Sequence, residues 1–237
     1  MKNSGMIIGI VGFIVCLLII AYFVITSEKK IITEDSLAFK EEYEAHNGLM
    51  NDVSGFEFLT LDIPKHNPFK YASFEDIFEL LEGGTGVIYF GFPTSSWSRS
   101  LVPVLINSAL DNKFREILYL DILEDRDLKE RRPVPGSRSG RTQIVTTRKG
   151  TDNYNKLLAM LSDWTPAYKG LDDEEVKRIY MPTVIFVKEG KIVGYQETLE
   201  AFRKRVDELD NAAYLSMNEE ESKTLAKIFN DFFKLIK

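Results

Sequence analysis

Cysteine is nearly missing from this chain: one residue, Cys16, occurs among 237. It lies inside a long apolar run, where a thiol behaves as a small hydrophobic group. The rest of the chain therefore offers no disulfide, no thiolate metal ligand and no thiol chemistry. Histidine is also scarce, with only His46 and His66. Without thiolates, two imidazoles cannot supply the usual zinc sites, so we expect no metal and no cofactor.

An excess of positive charge is absent as well. Residues 28–237 carry 29 basic and 36 acidic side chains, a formal charge of −7. Because nucleic acid is a polyanion, this balance excludes it as an expected partner. Hydrophobic residues make up 44% of the chain and charged residues 28%, which is typical of a folded globular protein.

Charged residues do not occur between Asn3 and Ser27, and residues 6–26 form one apolar run. A helix needs roughly 20 apolar residues to cross the hydrocarbon core of a bilayer. We therefore predict that residues 1–27 form a short cytoplasmic stub and a transmembrane anchor, which makes the membrane a partner. A buried core helix and a cleaved signal peptide are the alternatives, although the run exceeds the roughly 7 to 15 apolar residues of a signal peptide.

The first half of the remaining chain predicts alternating strands and helices. Residues 28–55 are polar and indicate a stalk with a short helix, and residues 56–63 have the alternation of a first strand. Ser73 and Asp76 resemble a capping box for a helix that ends at Gly83-Gly84. The series continues with a buried strand at 86–92, a helix at 97–110 containing Pro103, and a second buried strand at 116–123. This order favours a parallel crossover unit.

An insert at about residues 124–150 interrupts this pattern. It is charged and rich in proline and glycine, and TQIVTT within it predicts a short strand. From Arg131 to Lys149 there are six basic residues and no acidic one. The insert is interpreted as a solvated loop, with a bound polyanion as the alternative.

The last part of the chain predicts helices around a hairpin. Asp152 or Asn153 can begin a helix, and residues 171–180 predict a further short one. Residues 183–195 then give two strands joined at Glu189-Gly190. Asn218 begins a C-terminal helix whose acidic first turn and basic end suit the helix dipole.

The spacing of a few residues indicates a resemblance to thioredoxin-like proteins. Ser95 and Ser98 have the spacing of the family's C-x-x-C pair, and Pro103 lies five residues further on. Met181-Pro182-Thr183 precedes a strand as the family's cis-proline segment does. The resemblance covers roughly residues 56–236 and is strongest to the membrane-anchored, Gram-positive bacteriocin transport accessory group. It implies an α/β fold with a central mixed sheet flanked by helices, in a domain at residues 56–237.

The departure from the family lies at its reactive atoms. Thiol–disulfide exchange needs a thiolate that attacks and a second thiol that resolves the mixed disulfide. The serine hydroxyls at Ser95 and Ser98 stay protonated near neutral pH and cannot form the sulfur bond. The resemblance therefore implies the fold without the activity, and no residue is expected to be catalytic.

A peptide-binding surface is what the resemblance still implies. The residue before the cis proline, Met181, would pair its backbone with an extended chain, and Phe92, Trp97 and Pro182 would form an apolar floor beside Pro93. In the alternative, Ser95 or Ser96 only caps a helix, Trp97 packs against a neighbouring loop, and Pro182 sets the backbone shape.

Two functions of different kinds remain. The first is a redox-inactive, membrane-anchored binding module for a protein or peptide, and the second is a thiol oxidoreductase whose cysteines are replaced by serine in this sequence. Serine hydrolysis would need a base near the motif and has no G-x-S-x-G to support it. Lys29, Lys30 and Lys40 favour a cytoplasmic body. The group that the chain resembles works outside, so we expect a single-pass protein of the bacterial plasma membrane with an extracytoplasmic domain.

Overall fold

The computed structural model describes residues 31–52, 55–135, 140–208 and 216–237. Residues from Thr33 to Lys237 form one compact unit, which contains every element below. Among the helices of the described residues, none combines the length and apolar character that crossing a membrane requires. The span predicted at residues 6–26, together with Cys16, lies outside the described residues.

A five-stranded mixed sheet forms the centre of the unit. Its strands are β3 Phe69–Tyr71, β4 Gly86–Phe90, β5 Ile117–Leu120, β8 Thr183–Lys188 and β9 Lys191–Gln196. Their spatial order is β3, β5, β4, β8, β9, with parallel pairing between β3, β5 and β4 and antiparallel pairing from β4 to β8 and from β8 to β9. Two smaller antiparallel pairs are β1 Met50–Asn51 with β2 Phe56–Glu57, and β6 Leu128–Pro133 with β7 Thr142–Arg148.

Helices cover both faces of this sheet. They are α1 Glu34–Glu44, α2 Phe74–Gly83, α3 Ser96–Asp111, α4 Asp152–Met160, α5 Glu200–Glu208 and α6 Glu219–Ile236. Val87 and Tyr89 pack with buried residues of α1, α3, α5 and α6, whereas Ile88 and Phe90 pack with those of α2 and α4. This alternation follows from the two-residue period of a strand and explains why β4 is apolar throughout. The predicted α/β architecture, a central mixed sheet flanked by helices, is confirmed and is consistent with a thioredoxin-like fold.

Most predicted elements occur close to their expected positions. The capping box of Ser73 and Asp76 begins α2, and α3 runs through Pro103. Asn218 caps α6, and the β8–β9 hairpin turns at Glu189-Gly190. The cap of α4 differs by one position from the prediction, because the hydroxyl of Thr151 accepts from the backbone N–H of Tyr154 at 3.1 Å.

The prediction of a first strand at residues 56–63 is wrong. Only Phe56 and Glu57 of the predicted 56–63 strand are extended in a ladder, and the sheet begins instead at β3. Side chains of the preceding segment bind the backbone that a ladder would have used. Asn47 accepts from the N–H of Leu61 at 3.0 Å and donates to its carbonyl at 2.8 Å. The N–H of Ile63 donates to the carboxylate of Glu44 at 2.6 Å.

The segment before the first strand also differs from the predicted polar stalk at residues 28–55. From Thr33 onward this segment belongs to the compact unit. Phe39 and Tyr43 of α1 are fully buried in the core. They are four residues apart and therefore lie on the same side of the helix, stacked with ring centroids 4.4 Å apart. Polar composition concealed this pair, because the other faces of α1 are charged.

The short helix predicted at residues 171–180 is a further correction. That stretch is a looped segment with a single bridge between Ala167 and Lys177. Gly170 and Asp172 have positive φ angles of 80° and 54°, which a continuous helix does not allow. The N–H of Tyr168 donates to the carbonyl of Val176 at 2.6 Å and closes the loop.

Candidate functional site

The serine motif, which we define as residues Ser95 to Ser98, lies at one edge of the central sheet, namely the edge where three strands have an end. β4 and β5 both end there, at Phe90 and Leu120, and the antiparallel β8 begins there at Thr183. Phe90 pairs with Thr183 as the last pair of this ladder, so Phe92 follows the end of β4 at the place where Met181 precedes the start of β8. The bond between Met181 and Pro182 is cis. The fold thus brings the serine motif and the start of β8 to the same edge.

Ser95 and Ser98 both serve the local backbone. Ser95 is the N-cap of α3, and its hydroxyl accepts from the N–H of Ser98 at 3.2 Å. This bond satisfies one of the free N–H groups at a helix start. Ser98 is fully buried, and its hydroxyl accepts from the N–H of Phe92 at 3.4 Å. The two hydroxyls therefore hold the turn between β4 and α3 in place.

Buried tyrosines continue this network below the motif. The hydroxyls of Tyr89 and Tyr43 lie 3.1 Å apart, and the Tyr89 ring stacks on Tyr119 with centroids 5.7 Å apart. Burial raises the pKa of the Tyr89 hydroxyl, and its hydrogen bonds to Ser98 and Tyr43 act in the opposite direction. Tyr89 is thus a neutral phenol that links the motif to α1 and does not act as an ionisable base near pH 7.

Arg99, the residue after the motif, is fully buried. Its guanidinium donates from Nε and Nη2 to the carbonyl of Leu59, at 2.8 and 2.6 Å. The remaining donors reach the Tyr43 carbonyl at 2.6 Å, the Pro93 carbonyl at 3.1 Å and the Asn47 side-chain oxygen at 2.7 Å. All five N–H groups are used. Burial lowers the pKa of Arg99, with nearby Tyr43 and Glu44 opposing the shift.

The residues predicted to bind a peptide divide between the two faces of the sheet. Phe92 packs against the core cluster that contains Met181, on the side of α2 and α4. Trp97 packs on the opposite side, edge-on against Phe202 of α5 with ring centroids 5.3 Å apart. Pro182 is buried directly before β8. Phe92 and Met181 thus belong to the same core cluster, whereas Trp97 is a partly buried packing residue on the other face of the sheet.

The site has few groups that could perform chemistry. Its hydroxyls serve as hydrogen-bond acceptors for the backbone, while Met181 is buried and Phe92 is partly buried in the same apolar cluster. Within the described ranges, no group of histidine, cysteine and acidic side chains could hold a metal ion. His46 packs its ring against Phe58 with centroids 5.3 Å apart, and burial followed by the charge of Arg99 lowers its pKa.

Arg99 was not singled out from the sequence, although a signal for it exists. Helical spacing puts it on the same face of α3 as Val102 and Ile106, which are buried. An arginine on an apolar helix face needs hydrogen-bonding partners inside the protein, and here they come from segments about 40 to 56 residues earlier in the chain. Those partners are invisible in the local pattern.

Comparison with known proteins finds no family and a distant similarity to a solved structure. No protein-family model matches the chain, and no curated protein matches it. Among solved structures, the chain is similar to a thioredoxin-fold protein from Helicobacter pylori. The identity is 13%, the alignment covers 70% of this chain and 98% of that one, and the TM-score is 0.27.

Proposed function

We propose that this protein is a redox-inactive binding module of the thioredoxin-like type, and that it holds an extended segment of a protein or peptide partner. Met181 carries the proposal. It lies directly before β8, and none of the turn, loop or side-chain hydrogen bonds among the described residues uses its N–H or C=O. A backbone in that position can pair with an added strand, which is a common way to recognise peptides.

The serine motif supports the absence of thiol–disulfide exchange. Ser98 is fully buried and bound to the N–H of Phe92, and Ser95 caps α3. Hydroxyls in these roles stabilise the turn and supply no nucleophile for a disulfide. Phe92 adds apolar surface next to Met181, which suits a partner side chain.

The anchor and the side of the membrane belong to the same proposal. The apolar run at residues 6–26 supports a single span, and the resemblance to membrane-anchored accessory proteins of Gram-positive bacteria supports an extracytoplasmic domain. Protease treatment of intact cells tests both. We expect the domain to be digested from outside; protection of the domain unless the cells are opened would place it in the cytoplasm.

Crosslinking from the full-length protein tests the binding surface. A photo-reactive amino acid at position 92 should capture a partner segment, identified by mass spectrometry. Met181→Pro should abolish the capture because it removes the N–H that would pair with the partner, while Met181→Ala, which keeps that N–H, should retain most of it. Equal capture by Met181→Pro and the unchanged protein would refute pairing at Met181.

The two tryptophans provide a matched control. Trp97 is partly buried and lies within the serine motif, whereas Trp164 is 44% exposed and stacks on Tyr195 in another part of the unit. Trp97→Ala should weaken capture and Trp164→Ala should not. Equal loss in both variants would indicate a general effect of removing an aromatic side chain.

A separate assay tests for thiol–disulfide exchange. The purified protein should not catalyse the reduction of insulin by dithiothreitol. A Ser95→Cys, Ser98→Cys variant with activity, together with cysteine codons in the native gene, would instead identify an oxidoreductase altered at these two positions.

A further inference from the structure

Two arginines near the same sheet edge have no partner for a buried nitrogen. The Nε atoms of Arg126 and Arg178 are buried and form no hydrogen bond within the described residues. Neither guanidinium forms an ion pair with a carboxylate of the described residues. Both side chains are only half-buried, so the outer Nη groups are the parts that a ligand can reach.

Aromatic residues hold the two arginines in one region. The guanidinium of Arg178 lies over the ring of Tyr168, 4.4 Å from its centroid. The hydroxyl of that tyrosine accepts from the N–H of Lys129 at 3.0 Å, three residues after Arg126. The Tyr154 hydroxyl in turn accepts from the N–H of Ile179 at 3.4 Å. These bonds join the start of β6, which follows Arg126, and helix α4 to the segment before β8 that carries Arg178.

Two acidic groups in the same region each form an ion pair. Asp127 is buried and binds Lys129 through Oδ2 at 2.8 Å, while its Oδ1 has no hydrogen-bond partner among the described residues; Glu124 binds Arg148 at 2.7 Å. Burial and then the neighbouring charge of Arg178 lower the pKa of Arg126. An arginine side chain nevertheless keeps its charge in a protein. Two half-buried positive charges that repel each other are stabilised by an anion placed between them.

We propose that Arg126 and Arg178 form a binding site for a carboxylate of the partner peptide. The inference rests on the proposed function, since it names the chemistry of the segment that Met181 would hold. Arg178 is only three residues from Met181, and the loop after β5 reaches the same edge of the sheet. A guanidinium presents paired N–H groups that match the two oxygens of a carboxylate. The partner is therefore an extended peptide with an acidic residue.

Matched peptide pools test the carboxylate. Each pool contains acetylated, amidated nonapeptides of random sequence with a fixed central residue, Glu in one pool and Gln in the other, and both contain no other acidic residue. Each pool is added before crosslinking, and the decrease in capture of the partner segment measures binding of the pool to the full-length protein. We expect the Glu pool to compete roughly tenfold better, as hydrogen bonds to a charged group imply.

Variants assign the preference to the two arginines. Arg126→Gln and Arg178→Gln should each remove the advantage of the Glu pool. Arg132→Gln is the control, because Arg132 is exposed on β6 and pairs with Glu130 at 2.7 Å; this variant should keep the advantage. Equal competition by both pools, with Met181→Pro still reducing capture, would refute the carboxylate site and leave the binding module intact. Failure of both pools to compete, with no capture by position 92, would refute both.

Two further measurements separate an anion site from packing. Because Arg126 is repelled by Arg178, thermal unfolding of Arg126→Gln at low ionic strength should begin no earlier than that of the unchanged protein. Earlier unfolding together with an unchanged Glu preference would assign a packing role to Arg126 and refute the site.

Inorganic phosphate at 10 mM should compete less well than the Glu pool; stronger competition by phosphate would refute the assignment to a peptide carboxylate.

Discussion

The guanidinium of Arg99 donates two hydrogen bonds to the carbonyl of Leu59, from Nε at 2.8 Å and from Nη2 at 2.6 Å. This contact joins the first turn of α3 to the segment that was expected to be a strand. The same side chain reaches the carbonyls of Tyr43 and Pro93. Arg99 therefore fixes α1, the following segment and the serine motif relative to one another.

Replacing Arg99 by Met should destabilise the protein by about 3 kcal/mol or more. The variant keeps much of the apolar stem but removes every donor, so the carbonyls of Leu59 and Tyr43 lose their partners in a buried environment. Urea unfolding monitored by tryptophan fluorescence measures the change. Arg132→Met, at an exposed position, should change the unfolding free energy by less than about 0.5 kcal/mol. A similar small effect at position 99 would contradict the bracing role.

Ser95→Ala should cost about 1 kcal/mol of stability, because it removes the hydroxyl that caps α3 through the N–H of Ser98. Ser96→Ala is the matched control, since Ser96 is the first residue of the helix and its carbonyl, which accepts from Ser100, is retained. Its effect should lie within about 0.5 kcal/mol. Equal costs at the two positions would show that the cap does not lie at Ser95.

The elements that the sequence predicted well are those whose signals are local. Continuous apolar runs predicted β4 and β5, and the side chains of Ser73 and Asn218 predicted the starts of α2 and α6. Such signals depend on a few neighbouring residues and the period of the element. The position of the serine motif at the end of a buried strand followed from the same runs.

The elements that were misplaced depend on contacts between distant segments. The strand expected at 56–63 is replaced by coil because Asn47 and Glu44 bind its backbone, and the sheet begins with the shorter β3. Likewise, the segments that carry Arg126 and Arg178 are far apart in the chain and are linked through Tyr168. No local pattern carries that information.

Acid should weaken the protein partly through Glu221. Its carboxylate accepts hydrogen bonds from Nε and Nη2 of Arg205, both at 2.7 Å, and from the backbone N–H of Asn218 at 2.8 Å. The hydrogen bond from Arg205 is the main reason that its pKa lies below the ordinary value. A lowered folded-state pKa gives stability that is present above the unfolded-state value of about 4.3 and is lost as the pH falls through the folded-state pKa.

Glu221→Gln should therefore reduce the unfolding free energy by about 2 kcal/mol at pH 7. The difference from the unchanged protein should stay constant down to about pH 5 and shrink below about pH 4.3. Urea unfolding across this range measures it. Glu219→Gln is the control, because Glu219 is exposed and pairs only with Lys223 on the helix surface. A constant difference down to pH 3 would contradict the role of the carboxylate charge.

Gly91, between β4 and Phe92, should not tolerate a side chain. A Cβ atom there would lie 2.2 Å from the Tyr89 hydroxyl and 2.3 Å from its Cζ. Tyr89 is fully buried, stacked on Tyr119 and bound to Tyr43, so its ring cannot move aside cheaply. We expect Gly91→Ala to cost about 1 to 3 kcal/mol, as overpacking of a core does.

A double-mutant cycle assigns that cost to the Tyr89 ring. In a Tyr89→Leu background the colliding atoms are gone, so Gly91→Ala should cost much less than it does alone. Gly83→Ala provides the reference, because a Cβ at that helical position meets nothing within 4 Å and alanine is the better helix former; it should be neutral or stabilising. Additive costs at 89 and 91 would mean that the glycine serves the backbone alone. A coupled cost means that the tyrosine network sets the path of the chain into the serine motif.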